Sequence, residues 1–169
     1  MIDEELAREA FEVAINYLSV CARSEKEVKE KLYKKGYHRD IVDLTLNKLK
    51  GYRYIDDEQY VKTYLNFYGT KYGRKQLIYK LTNDKGIEKA LAQNTIDDTI
   101  SDDDEIAKAL NFAQKYITKK RIVGKDKSKV ANWLYGKGFD WDTINKVLYS
   151  VEFFNRDDAS SDCANEETE

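Results

Sequence analysis

The residues that could do chemistry are few and poorly spaced for it. Histidine occurs once, as His38, and cysteine twice, as Cys21 and Cys163. A transition-metal site needs three or four soft ligands brought close together, and a nucleophilic thiol needs a base beside it. Neither can be built from three residues so scattered. His38, next to Arg39 just after a glycine, is expected as an exposed helix-start residue. The run "SDDDE" (101–105) offers hard oxygen ligands but lacks the spaced oxygens and glycine of a calcium loop. Acids in that position suit the first turn of a helix, where the macrodipole favours them. "YGTKYG" (68–73) carries two glycines without the Gly-Lys-Ser/Thr of a phosphate loop, and reads as a turn between helices. No catalytic, metal-binding or cofactor-binding residue is expected, and the chain reads as a non-enzyme.

Binding chemistry is better served. "GTKYGRKQLIYKL" (69–81) mixes Lys71, Arg74, Lys75 and Lys80 with Tyr72 and Tyr79, so cations can meet phosphates while an aromatic ring stacks on a base. "YITKKRIVGKDKSK" (116–129) holds six Lys or Arg against one Asp. Arg74, Lys75, Lys119, Lys120, Arg121 and Lys125 are the candidate contact residues. The alternative, a merely solvated cationic face with Tyr79 covering a helix interface, stays open at this point.

The net charge of −2 hides this pattern. Residues 155–169, "NRDDASSDCANEETE", hold six acids and one Arg without apolar periodicity, and are expected to be a disordered acidic tail. Without them the body carries 28 basic against 25 acidic residues. A second acidic clump, "DDTISDDDE" (97–105), has six acids and no base. In 169 residues there are 8 glycines and no proline, which suits helices with wide solvated faces. No apolar run is long enough to span a bilayer. The opening "MIDEELAREAFEVA" is acidic and amphipathic rather than a secretory signal. With no disulfide framework, a cytoplasmic protein is expected.

The elements that must position these residues come from an internal repeat. "KLYKKGY" (31–37) and "WLYGKGF" (133–139) share one plan, and "KLTNDKGI" (80–87) obeys it with one residue inserted before its glycine. Around Gly36 and Gly138, Val28 with Leu32 and Val130 with Leu134 lie one helical turn apart on a single face. The glycine then takes the left-handed position past the helix end, and Tyr37, Ile87 or Phe139 folds back over the last apolar turn. Ser24 and Glu27 predict a capping box; Asp126 is the expected cap in the third copy. Upstream stripes complete each copy: Ala10, Ala14, Tyr17, Leu18 and Cys21; Val61, Tyr64, Leu65 and Tyr68; Ile106, Leu110, Ala113 and Ile117. The fold class is therefore all-α, three tandem three-helix repeats in an elongated, curved array. The expected units are 1–52, 53–100 and 101–154, followed by the tail.

With these motifs in order, the chain resembles the RecX family, bacterial regulators of the recombinase RecA. "AINYLSVCARSEKEVKEKLYKKGY" is similar to the family's first segment, "GYRYIDDEQYVKTYLNFYGTKYGRKQLIYKLTNDKGI" to its second, and "KKRIVGKDKSKVANWLYGKGFDWDTINKVL" to its third. The likeness covers roughly residues 7–151. It implies a non-catalytic modulator that binds RecA and its filament on single-stranded DNA and mainly inhibits the recombinase and its ATP hydrolysis. It implies no cofactor. The repeat architecture is expected as a monomer, with weak direct DNA binding left open. Two other readings stand beside it: a helical-repeat single-stranded nucleic-acid binder acting without RecA, and a helical adaptor for another protein.

Overall fold

The computed structural model describes residues 4–153, so the expected tail at 155–169 and Cys163 lie outside the described residues. Among these there is no strand and there are nine α-helices. They form two compact units, one from residues 4–68 and 78–99, the other from 69–77 and 100–153.

The first unit holds α1 (Glu4–Val20), α2 (Glu25–Lys34), α3 (Arg39–Gly51), α4 (Asp57–Tyr68) and α6 (Lys89–Thr99). The capping box is present: Ser24 Oγ accepts from the Glu27 amide, and Glu27 Oε2 accepts from the Ser24 amide at 3.0 Å. Asp56 Oδ1 caps α4 through the Gln59 amide. Ala10, Ala14, Val28, Leu32, Val42 and Leu49 are wholly buried, each large aliphatic side chain worth about 1.5–3 kcal/mol. Cys21 lies just past the end of α1 and is exposed, so the expected stripe ends one turn earlier. Residues 83–85 hold the start of α2. Ser24 Oγ donates to Lys85 O at 2.7 Å, Lys26 Nζ donates to Asn83 O at 2.9 Å, and Lys85 Nζ reaches Glu27 Oε1 at 2.9 Å.

The glycine stops behave as the repeat requires. Gly36, Gly86 and Gly138 have φ of 91°, 71° and 91°. The amides of Tyr37 and Phe139 return to Leu32 O and Leu134 O. The middle copy absorbs its extra residue in a π-turn, Lys80–Asp84, that continues α5 (Arg74–Tyr79). Its apolar lid still closes, with the Ile87 amide on Leu81 O at 3.0 Å. An inserted residue in a helix is commonly taken up this way.

The second unit holds α7 (Asp102–Lys120), α8 (Lys127–Gly136), α9 (Trp141–Ser150) and the start of α5. Ala109, Ala113, Ile117, Val130, Leu134, Phe139, Ile144 and Val147 are its core. Ser101 caps α7, accepting from the Asp104 amide. Asp126 does not cap α8 by a side-chain bond. It ends a 3-10 turn, Gly124–Asp126, with φ −99° and ψ 24° rather than extended backbone, and its carboxylate turns to Lys129 Nζ at 3.4 Å.

Candidate functional site

Within the second unit, four residues recur down one side of α7 at three- and four-residue spacing: Phe112, Lys115, Tyr116 and Lys119. Trp133 of α8 and Lys137, the C-cap residue just past its end, stand one turn apart. These six, with Thr70 and Lys71 of the preceding loop, line an open groove of about 490 Å³. Its floor is aromatic. Tyr116 stacks on Trp133 with ring centres 4.5 Å apart and planes 10° off parallel, while Phe112 meets Trp133 at 5.9 Å. Lys137 Nζ lies 5.5 Å from the Trp133 ring centre, a cation–π contact. Four of the eight lining residues are lysines and none is an acid, so the groove presents positive charge above an apolar bed.

The loop wall is hooked onto the end of α8. The Gly73 amide donates to Lys137 O at 2.8 Å, and the Lys75 amide to Gly138 O at 3.0 Å. A Cβ on Gly73 would stand 2.5 Å from the Gly138 carbonyl carbon and oxygen, so no side chain fits. Glu105, 2% exposed, anchors the other side. Its Oε1 accepts from the Arg74 amide at 2.8 Å, and its Oε2 lies 2.7 Å from Lys108 Nζ. Lys108 Nζ also donates to Gly69 O at 2.9 Å. The buried carboxylate thus has a cation and a backbone donor, as burial demands.

The sequence candidates fall at different places. Arg74 is tied down: its guanidinium reaches Asp102 Oδ1 at 2.6 Å and donates to Ile100 O. Lys75 is exposed, its Nζ 5.9 Å from the Tyr135 ring centre. Tyr135 stacks on Trp141 at 5.4 Å, and both rings are about half exposed. Beside them, burial would raise the Asp140 carboxyl, but bonds from the Thr143 amide and hydroxyl, with Lys75 nearby, hold it below the ordinary carboxylate range. Lys119 and Lys120 are exposed in the last turn of α7, and Lys119 lines the groove. Arg121, also exposed, is the left-handed C-cap of α7 with φ 48°. Lys125 belongs to the 3-10 turn. His38 is an exposed N-cap of α3 without a side-chain cap bond. Among the described residues no group of His, Cys, Asp or Glu could hold a metal ion, and no helix is long and apolar enough to cross a membrane.

Residues 10–49 match the first three-helix domain of RecX, and residues 102–148 match its third. Regulatory protein RecX of Finegoldia magna is 31% identical over 144 residues, covering 82% of this chain and 70% of that protein. The chain belongs to the RecX family. Regulatory protein RecX of Bacillus licheniformis is 28% identical over 96% of this chain, which spans 62% of that relative's length. The crystal structure of RecX from Lactobacillus salivarius superposes with a TM-score of 0.79 at 25% identity, covering 87% of this chain and 97% of that one. Tandem three-helix repeats therefore apply here, and the relatives carry the name of regulatory proteins.

Sequence reasoning missed most of this groove. Phe112 and Lys115 lie outside the apolar stripe that the repeat picks out in α7, Tyr116 opens the basic stretch 116–129, and Trp133 and Lys137 belong to the repeat signature. The available signal was an aromatic–lysine alternation at helical spacing on the flank of the apolar stripe. Glu105 was hidden in an acidic run that reads as the first turn of a helix.

Proposed function

We propose that this chain is a non-catalytic regulator that binds the RecA recombinase and its filament on single-stranded DNA and mainly inhibits recombination and ATP hydrolysis. It acts as a cytoplasmic monomer without a cofactor, in DNA repair and the response to DNA damage. Membership of the RecX family is the observation that carries this reading. The repeat-level division into 1–52, 53–100 and 101–154 belongs to the same proposal, because each copy would supply its own weak contacts and several together add by avidity.

The proposed contact residues are Arg74, Lys75, Lys119, Lys120, Arg121 and Lys125, of which Arg74 is also bonded to Asp102. A filament exposes phosphate and acidic protein surface, to which exposed lysines are complementary. The test is RecA-driven ATP hydrolysis on single-stranded DNA, titrated with the protein. The parent should suppress hydrolysis, and reversing Lys119, Lys120 and Arg121 together to Glu should weaken suppression about tenfold or more, while single alanines change it little. Equal suppression by the triple reversal would remove this face from the contact. The second reading, a single-stranded nucleic-acid binder acting without RecA, is favoured by the aromatic floor of the lysine groove. An unaffected recombinase together with tight oligonucleotide binding would select it.

A further inference from the structure

We infer that the groove on the flank of α7 and α8 is a direct single-stranded nucleic-acid site, with bases packed on its aromatic floor and phosphates held by Lys115, Lys119 and Lys137. It deepens the proposed function by naming what the groove touches, yet it is independently testable because it needs no recombinase.

Three observations carry it. The floor consists of stacked rings, Tyr116 on Trp133 with Phe112 beside them, and all three are partly exposed. Every nucleobase has a flat π-face that can extend such a stack, and that face is accessible only when the strand is unpaired. The walls carry four lysines and no carboxylate, so an acidic backbone meets no repulsion within the groove. Finally, the groove is held open by built structure. The loop wall cannot slide toward α8, because Gly73 already touches the Gly138 backbone and the Lys108 and Glu105 contacts hold its other side. An acidic peptide would satisfy the lysines but leave the aromatic floor unused, which is why a nucleic acid is chosen over a protein tail.

The experiment uses intrinsic fluorescence. The chain has two tryptophans, so Trp141→Phe, outside the groove, leaves Trp133 as the sole indole. Titrating this protein with an oligothymidylate of about 15 nucleotides, near the upper site size of a single-strand-binding module, should quench Trp133 saturably. Binding should fall with salt at a log–log slope of about −2, from Lys115, Lys119 and Lys137 at about 0.7 each on a single strand. Lys115→Glu with Lys137→Glu, both surface changes, should weaken binding at least tenfold and reduce the slope by about 1.4. A duplex of the same length should bind at least tenfold more weakly and quench less. Quenching of Trp133 by polyglutamate as strongly as by oligothymidylate overturns the inference, as does equal binding to the duplex or an unchanged affinity in the double reversal. If the oligonucleotide binds as described while RecA hydrolysis is untouched, the groove stands and the regulator reading falls. If hydrolysis is suppressed but no oligonucleotide binds, the groove alone is lost.

Discussion

Tyr17 and Tyr116 occupy one position in two copies of the same repeat, and they are used in opposite ways. Each follows a wholly buried alanine by three residues, Ala14 in α1 and Ala113 in α7. Each faces the residue five places before a glycine stop, Lys31 before Gly36 and Trp133 before Gly138. In the first unit two cations lie over the Tyr17 ring, Arg23 at 4.5 Å and Lys31 at 5.3 Å, and Arg23 is itself near Glu27 at 3.8 Å. In the second unit the Tyr116 ring stacks on an indole. Along α1, Val13, Asn16 and Val20 stand where α7 has Phe112, Lys115 and Lys119. One scaffold therefore gives a tyrosine satisfied by its own cations in the first unit. In the second it gives an aromatic floor whose flanking lysines remain on the walls. The two copies thus differ on the flank of a helix whose core stripe is shared.

The glycine stops break the comparison most sharply. Gly36 and Gly138 have the same φ of 91°, so a β-branched residue at either pays for left-handed backbone, about 1–2 kcal/mol. Space differs. A Cβ at Gly36 meets nothing within 4 Å, whereas at Gly138 it would stand 2.5 Å from the Gln76 backbone nitrogen and Cβ. Gly138→Val should therefore destabilise by about 3–5 kcal/mol, adding overpacking against fixed backbone, and Gly36→Val by about 1–2 kcal/mol. Gly124→Ala, with neither a positive φ nor a close neighbour, should change stability by less than about 0.5 kcal/mol. Urea midpoints of the three variants check this order. Equal losses at Gly36 and Gly138 would show that the hook of Gly73 on α8 adds nothing.

These glycines also mark where the sequence is readable. The stops, the capping box of Ser24 and Glu27, the Ser101 cap and the lids Tyr37, Ile87 and Phe139 are local, set by residues within about two turns of one another, and pattern finds them. Gly73 is different. Its need for hydrogen arises from the approach of Gly138, far along the chain, which no local pattern encodes. Glu105 is hidden for the same reason, since its partners are Lys108 on its own helix and the Arg74 amide from another segment. Asp126 misleads in the opposite sense: a good cap residue, but the chain reaches it through a 3-10 turn that aims its carboxylate elsewhere. Of the candidate contacts, only Lys119 lines the groove, because charge density along the sequence does not report which helix face a lysine occupies.

The buried carboxylates sharpen the contrast at a smaller scale. Glu105 in the second unit is 2% exposed, with Lys108 and a backbone amide as its partners. Glu27 in the first has a 16% exposed side chain, bonded to Lys85 and the Ser24 amide. Glu105→Gln leaves Lys108 without its counter-charge in a largely dry site and should cost about 2–3 kcal/mol. Glu27→Gln keeps a capping-box acceptor and water access, and should cost about 1 kcal/mol. Chemical denaturation of both variants tests it. A larger loss at Glu27 would mean that the segment at 83–85, rather than the hook at 73–75, is the stronger tie.

Acid titration gives the smallest effect, and its sign differs within the first unit. Burial acts to raise the Glu27 carboxyl, but the Lys85 bond and charge, the Ser24 amide and the Tyr60 hydroxyl outweigh it and hold the group below its ordinary 4.5. A carboxyl lowered on folding stabilises above the unfolded value, and that contribution is lost as pH falls through the folded value. Asp57 is opposite: burial and the neighbouring Glu25 and Asp56 charges outweigh the Glu25 amide, so its carboxyl is raised above 3.8. Its ionised form is a burden at neutral pH that protonation relieves. Asp140 in the second unit follows Glu27, lowered from 3.8. Between about pH 6 and about pH 3 the parent should therefore lose stability on balance. Glu27→Gln and Asp140→Asn should each flatten that loss, and Asp57→Asn should steepen it by removing the compensating group. Urea midpoints measured across this range read the three slopes directly. A Glu27→Gln slope as steep as the parent's would show that Lys85 does not hold the Glu27 carboxylate in the folded first unit.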